Sequence, residues 1–265
     1  MSGDNAAREK FAVDLARRAG ELGLGYFRDL EKLTIESKGH QDLVSEADRD
    51  VETFVRAALK AEYPQDGIIG EEHAPTPGTS GFDWVIDPID GTANFVRGIP
   101  TWGVVIAGAR AGRTEIGGIH DACAGGTFHA RPGGGAFLNG RPMRASASTS
   151  LGDGSVGTGF SNRREIRNIL PFIEMLIDEG GVFYRNASGA LMLAYVAAGR
   201  LIGYVEEHMN PWDCIAGLLL VEEAGGRIVR PDPATVLAQG TVVIAACRGV
   251  FDRVEEMCGK SFSPR

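Results

Sequence analysis

Apolar residues recur at helical spacing from the start of the chain. Phe11, Leu15, Ala19, Leu22 and Phe27 predict a packing helix over 5–28. A second helix is predicted from Ser45 onward. Ala47, Val51, Phe54, Val55, Ala58 and Leu59 mark one face, and Pro64 lies beyond its end. "GIIGEEH" reads as a short strand running into acids, "APTPGTSG" as a surface loop and "DWVIDP" as the next strand. From 102 to 137 the runs "WGVVIAGAR", "TEIGGIHDA", "GTFHARPGG" and "GAFLNG" alternate with turn glycines and predict an antiparallel meander. Further helices are predicted over 164–179 and in "ASGALMLAYVAAGRL". The clearest helix is "NPWDCIAGLLLVEEAGG", where Asn210 caps, Pro211 suits the first position and Gly225-Gly226 ends the run. "TVVIAAC" reads as a closing strand and "GVFDRVEEMC" as a last helix.

Composition narrows the function. The 265 residues are 43% hydrophobic, enough core for a large α/β unit. A net charge of −8 argues against a broad nucleic-acid surface. It leaves room for a small anion if metal ions carry the attraction. Four scattered cysteines without a C-x-x-C pair predict reduced thiols in the cytoplasm and argue against zinc. No apolar run approaches the ~18 residues of a membrane span. The amphipathic N-terminus contains several acids and reads as a packing helix, not a targeting peptide.

The stretch "WVIDPIDGTANF" (84–95) carries the chemistry. Asp87 and Asp90 flank a proline, so the pair is expected outside any regular helix or central strand. Two carboxylates held close repel unless a cation or a shared proton offsets the repulsion. Glu71 in "IIGEE" and Asp213 in "NPWD" share the same context, an acid where an apolar element begins or ends. Hard oxygen ligands of this kind suit magnesium, and two ions ~4 Å apart suit in-line displacement at phosphorus. Each acid also has a bland reading. Asp213 three residues after Asn210, and Asp48 three after Ser45, fit capping boxes. Glu71-Glu72 fits a solvated pair, Asp87 a strand end and Asp90-Gly91 a turn. Gly91-Thr92 adds backbone N–H groups for an oxyanion and a hydroxyl that could orient a water beside Glu71.

At these residues the sequence resembles the inositol monophosphatase family of metal-dependent, lithium-sensitive phosphatases. The resemblance covers nearly the whole chain, through "GEEH" (70–73), "WVIDPIDGTANF", "GAFLNG" (135–140) and "NPWDCIAGLLLVEEAGG" (210–226). It implies a layered αβαβα sandwich of the inositol monophosphatase and fructose-bisphosphatase type, one catalytic unit over 1–265. Its halves are 1–148, with the metal-site motifs and an antiparallel sheet, and 149–265, with a second α/β layer and the W-D motif. It also implies a homodimer. By the resemblance Glu71, Asp87, Asp90, the Ile89 carbonyl and Asp213 hold two magnesium ions, and Asp48 is associated with a weaker third. Glu71, Asp90 and Thr92 are the implied catalytic residues: water oriented by Glu71 and Thr92 attacks phosphorus while the Gly91 and Thr92 amides hold the phosphate. The family's G-[ST]-A segment appears as Ala187-Ser188-Gly189, with the glycine moved, so Ser188 and Gly189 are the substrate candidates there. Glu206, seven residues before Asp213, matches the substrate glutamate and has the bland reading of a loop acid. "GIPTWG" (98–103) is similar to members that hydrolyse histidinol phosphate.

The expected activity is therefore magnesium-dependent hydrolysis of inositol monophosphate or a similar polyol phosphate. The alternatives are histidinol-phosphate phosphatase and a non-catalytic regulator that keeps the fold. The expected partner is a small phosphomonoester, without nucleic acid or membrane.

Overall fold

The computed structural model describes residues 2–39, 42–161 and 163–262. In chain order it runs α1 (Ser2–Phe27), β1 (Ile35–Gly39), β2 (Asp42–Ser45), α2 (Glu46–Glu62), β3 (Gly67–Gly70), β4 (Phe82–Asp90) and a one-turn α3 (Thr92–Phe95). The meander β5 (Gly103–Arg110), β6 (Arg113–Asp121), β7 (Gly126–Arg131), β8 (Gly135–Leu138) and β9 (Arg141–Pro142) follows. The rest is β10 (Ser155–Thr158), α4 (Ile169–Asp178), β11 (Val182–Tyr184), α5 (Gly189–Ala197), β12 (Gly203–Met209), α6 (Pro211–Glu223), β13 (Arg227–Ile228), α7 (Val236–Gln239), β14 (Thr241–Ala246) and α8 (Phe251–Ser261).

Among the described residues, β3 to β9 form a seven-stranded sheet in sequence order, antiparallel except for the parallel β3/β4 pair. A five-stranded sheet has the order β11-β10-β12-β14-β13, with β10 parallel to both its neighbours. Strand alternation decides which face each residue serves. Phe82, Trp84 and Ile86 of β4 enter the core under α1 and α2, whereas Val85 enters the core on the opposite face. In α2 the buried Ala47, Val51, Val55 and Leu59 recur every four residues and close the first core. The second core places α5 and α6 between the two sheets, and the third packs α4 and α8 on the outer face of the five-stranded sheet. The layers are thus αβαβα. Central α6 is buried almost all round, as a helix between two sheets must be.

Three expectations change. Strand β4 runs through Pro88 to Asp90, so the aspartate pair does lie within a central strand. The ladder tolerates it because β3 ends opposite Ile86 and the pairing with β5 skips from Asp87 to Asp90. Pro88 falls in that irregular stretch, where its missing N–H costs no ladder bond. "GYVEEHM" is strand β12 and not a loop; Glu206-Glu207-His208 interrupts the apolar alternation that would have marked it. The helix predicted over 164–179 is shorter, a 3₁₀ turn at Ile166–Asn168 followed by α4.

Candidate active site

The ends of β3 and β4, the start of α6 and the middle of β12 converge on a cavity of about 190 Å³. Glu71 leaves β3 and Asp87 lies near the end of β4. Asp213 sits in the first turn of α6, where the helix dipole favours a negative charge. A carboxylate oxygen from each of these three lies within 4.8 Å of the others. Asp90 lines the same cavity, only 7% exposed, and its carboxylate accepts from the Ser188 hydroxyl and from the Ala190 amide at 3.0 Å. The Ile89 amide donates to Asp87 at 3.0 Å, which holds the Asp-Pro-Ile-Asp bend closed.

Crowding shows in the acidities. Burial, and then the charges of Glu71, Asp90 and Asp213, hold Asp87 well above its ordinary value. Asp90 is raised to about 7, by burial first and then by Asp213, against the pull of the Ser188 hydroxyl and the α5 amides. Asp213 is raised to about 6 by burial, opposed by its hydrogen bonds to Asp87 and Asn210. Asp213 keeps part of its surface open to the cavity, yet its carboxyl is crowded by protein on its other sides. Acids that burial and mutual repulsion keep from ionising gain from a bound cation. The donor set, carboxylates beside the Ile89 carbonyl, is the all-oxygen kind that a hard divalent ion takes. The residues therefore fit magnesium.

Capping and clustering coexist at Asp213. It completes a capping box with Asn210, whose amide donates at 3.1 Å, and still belongs to the three-acid cluster. Asp48 is different. It is fully buried at the start of α2, accepting from the Ser45 amide at 2.8 Å and the Ser45 hydroxyl at 2.6 Å, and it does not line the cavity. Its other oxygen faces Thr92, whose hydroxyl lies 3.0 Å from both Asp48 and the Ile89 carbonyl. Gly91 is left-handed at φ +98, and a Cβ there would crowd the Thr101 carbonyl at 3.1 Å.

The substrate candidates separate. Glu206 and Gly189 line the cavity, whereas Ser188 is buried behind it, capping α5 through the Leu191 amide and donating to Asp90. Ala187 adopts φ +61, the left-handed conformation that a glycine would take without strain. A Cβ at Gly189 would meet the terminal methyl of Met209 at 2.4 Å, so a larger residue there would displace that side chain. The Glu206 carboxyl accepts from Tyr204 and is raised to about 8 by burial. Lining residues that carried no signal in the sequence include Phe160, Arg185 and Tyr204. Arg185 stacks on Phe160 at 4.4 Å. They come from three separate segments that only the second sheet brings to the cavity.

Comparison with known proteins places the chain among relatives. A family described as the inositol monophosphatase family matches residues 4–257. "Nus factor SuhB" of Escherichia coli K12 is 38% identical over 218 residues, 81% of this chain and 82% of that protein. A histidinol-phosphatase of Chlorobaculum parvum is 38% identical over 221 residues, 82% of this chain and 83% of that one. An inositol-1-monophosphatase of Rhizobium meliloti is 38% identical over 217 residues, 81% and 82%. Among solved structures, the extragenic suppressor protein suhB of Bartonella henselae superposes with a TM-score of 0.90 at 32% identity, over 97% of this chain and 100% of that one. The Thermotoga maritima IMPase gives 0.86 at 30% identity, over 96% and 98%.

Proposed function

Because the chain belongs to the inositol monophosphatase family, we propose that it is a magnesium-dependent phosphatase acting on inositol monophosphate or a similar polyol phosphate. The observation that carries this reading is the cluster of half-buried Glu71 and Asp213 with buried Asp87, beside buried Asp90, lining a cavity of about 190 Å³. In this reading Glu71, Asp87, Asp90, Asp213 and the Ile89 carbonyl hold two magnesium ions, and Asp48 influences a third through Thr92. The ions would neutralise the acids and polarise the phosphate. Thr92 donates its proton to Asp48 or Ile89, so its lone pairs are left to accept from a water. Glu71 takes that water's proton as the water oxygen attacks phosphorus in line, the phosphorus–oxygen ester bond opposite breaks, and the alkoxide leaves as the alcohol after taking a proton from solvent. The Gly91 and Thr92 amides hold the phosphate, and no covalent enzyme intermediate forms.

Glu206 faces the alcohol. Burial raises the Glu206 carboxyl to about 8 and Arg185 shares the cavity, so little negative charge is left for an ammonium; this supports a polyol over an ammonium-bearing alcohol. Histidinol phosphate is the second reading, favoured by the relative named for it at the same identity. The name Nus factor, also at that identity, motivates a third in which the fold serves without catalysis; the full set of acids favours the enzyme. Lithium sensitivity, a cytoplasmic setting and a homodimer belong to the proposal. Thiols at Cys123, Cys214 and Cys247 support the setting. For the dimer, Leu170, Ile177, Val182 and Phe183 expose about half their surface around edge strand β11. Among the described residues, no helix is long and apolar enough to cross a membrane.

Phosphate release from a panel of phosphomonoesters, with magnesium and with excess chelator, tests the reading. Inositol monophosphate should lead the panel and turnover should vanish with chelator. Full turnover in chelator refutes metal dependence, and preference for histidinol phosphate installs the second reading.

A further inference from the structure

Helix α2 carries a second buried carboxylate one turn after Asp48. Glu52 is fully buried, and it too reaches toward the site without lining the cavity. Its Oε2 accepts the Glu72 amide at 2.8 Å and its Oε1 the His73 amide at 3.2 Å. Those are the two residues that follow Glu71 in the turn leaving β3. Arg56, a further turn along, donates to Glu52 Oε1 at 2.6 Å and to the His73 carbonyl at 3.0 Å. Gly70, just before Glu71, completes the contact, since a Cβ there would fall 2.1 Å from Glu52 Oε1. The carboxylate therefore presses on the backbone on both sides of Glu71.

We propose that Glu52 is a positioning residue for Glu71, and that α2 is the strut fixing Glu71 relative to Thr92. Residues four apart share one helix face, so Asp48 and Glu52 reach toward the site from the same side of α2. Asp48 holds the Thr92 hydroxyl while Glu52 holds the Glu71 turn. Amides that leave a strand end have lost their ladder partners. A carboxylate accepting two of them makes charge-assisted bonds, roughly twice as strong as neutral ones, and selects one turn conformation. Burying that charge is costly alone, and Arg56 offsets it. An ordinary helix-stabilising Glu52–Arg56 pair would need neither the two amide contacts nor the missing side chain at position 70.

This inference rests on the metal-dependent reading of the site, so its test includes manganese binding followed by electron paramagnetic resonance as well as turnover. Glutamine at position 52 has one acceptor where glutamate has two, and it turns N–H groups toward the amides. Glu52→Gln should bind manganese about 10- to 100-fold more weakly, as loss of a residue supporting a ligand does. Its kcat should fall with little change in KM, at temperatures where its circular dichroism matches the wild type. Glu52→Asp, which keeps the charge, should recover part of the loss. Gly70→Ala should reproduce the weakening, and should add little in a Glu52→Ala background. A lowered melting temperature with unchanged manganese affinity and kcat overturns the proposal in favour of a merely structural ion pair. A wild type that neither binds manganese nor releases phosphate refutes the metal reading instead. In that case hydrogen exchange at the Glu72 and His73 amides decides: faster exchange in Glu52→Gln upholds the clamp, and unchanged exchange overturns it.

Discussion

Removing the metal should make this protein less stable as pH rises, and Asp90 contributes a defined share of the effect beside Asp87, Asp213 and Glu206. Its carboxyl titrates near 7 in the fold, against an ordinary 3.8 in the unfolded chain. Between those values the folded state holds a proton that the unfolded state has released. Stability is therefore lost as pH climbs from about 4 to 7. At 1.36 kcal/mol for each tenfold change in acidity, Asp90 alone accounts for at most about 4 kcal/mol. Relaxation and water entry reduce that, so a loss of roughly 2 kcal/mol is a realistic expectation. At about 2–4 °C per kcal/mol for a chain near this size, the melting temperature should drop by roughly 4–8 °C. Saturating magnesium should reverse the trend, adding about 2.7 kcal/mol at a hundredfold excess over its dissociation constant. The assay is thermal unfolding in chelator from pH 4.5 to 8, repeated with magnesium and with Asp90→Asn. Asparagine still offers an oxygen to Ser188 and Ala190 but carries no charge, so the slope should flatten. An equal slope in the variant, or no slope in the wild type, refutes the account.

Asp213→Asn should lower turnover by orders of magnitude while leaving the metal-free denaturant midpoint unchanged or raised; unchanged turnover with a loss of about 0.5–2 kcal/mol would reduce Asp213 to its cap. Asp48→Asn should raise the magnesium concentration needed for half-maximal phosphate release yet leave a measurable rate at saturation, and indifference at every magnesium level would limit Asp48 to holding α2. Glu206→Gln should reduce kcat/KM for inositol phosphate about tenfold or less, as loss of a hydrogen bond to a neutral hydroxyl does. A much larger, salt-sensitive loss on histidinol phosphate, with that substrate preferred by the wild type, would reverse the choice of alcohol.

Much of the frame was legible because it rests on local chemistry. The spacing of Ala47, Val51, Val55 and Leu59 specified the buried face of α2, and Ser45 and Asn210 marked two helix starts that the structure places where expected. What escaped were elements whose signal is weak or contradicted. Strand β10 has four residues, two of them small, and β12 breaks its apolar run with the half-buried Glu206-Glu207-His208, against the pattern a strand should show. Their existence depends on pairing with partners far along the chain, and no window of sequence contains that information.

The candidate site divides in the same way. The sequence alone marked the clustered acids, because Glu71, Asp87, Asp90 and Asp213 each sit where an apolar element begins or ends and the chain leaves the core, but it gave no sign of Arg185. How those charges relate depends on the closed fold. It showed that Asp213 caps α6 and joins the cluster at once, that Ser188 supports Asp90 from behind, and that Glu206 is a strand residue beside Tyr204. It also brought Glu52 against the turn that bears Glu71. A carboxylate's identity is a property of one position. Its acidity and partners follow from burial and from neighbours tens of residues away, which exist only once the layers have closed.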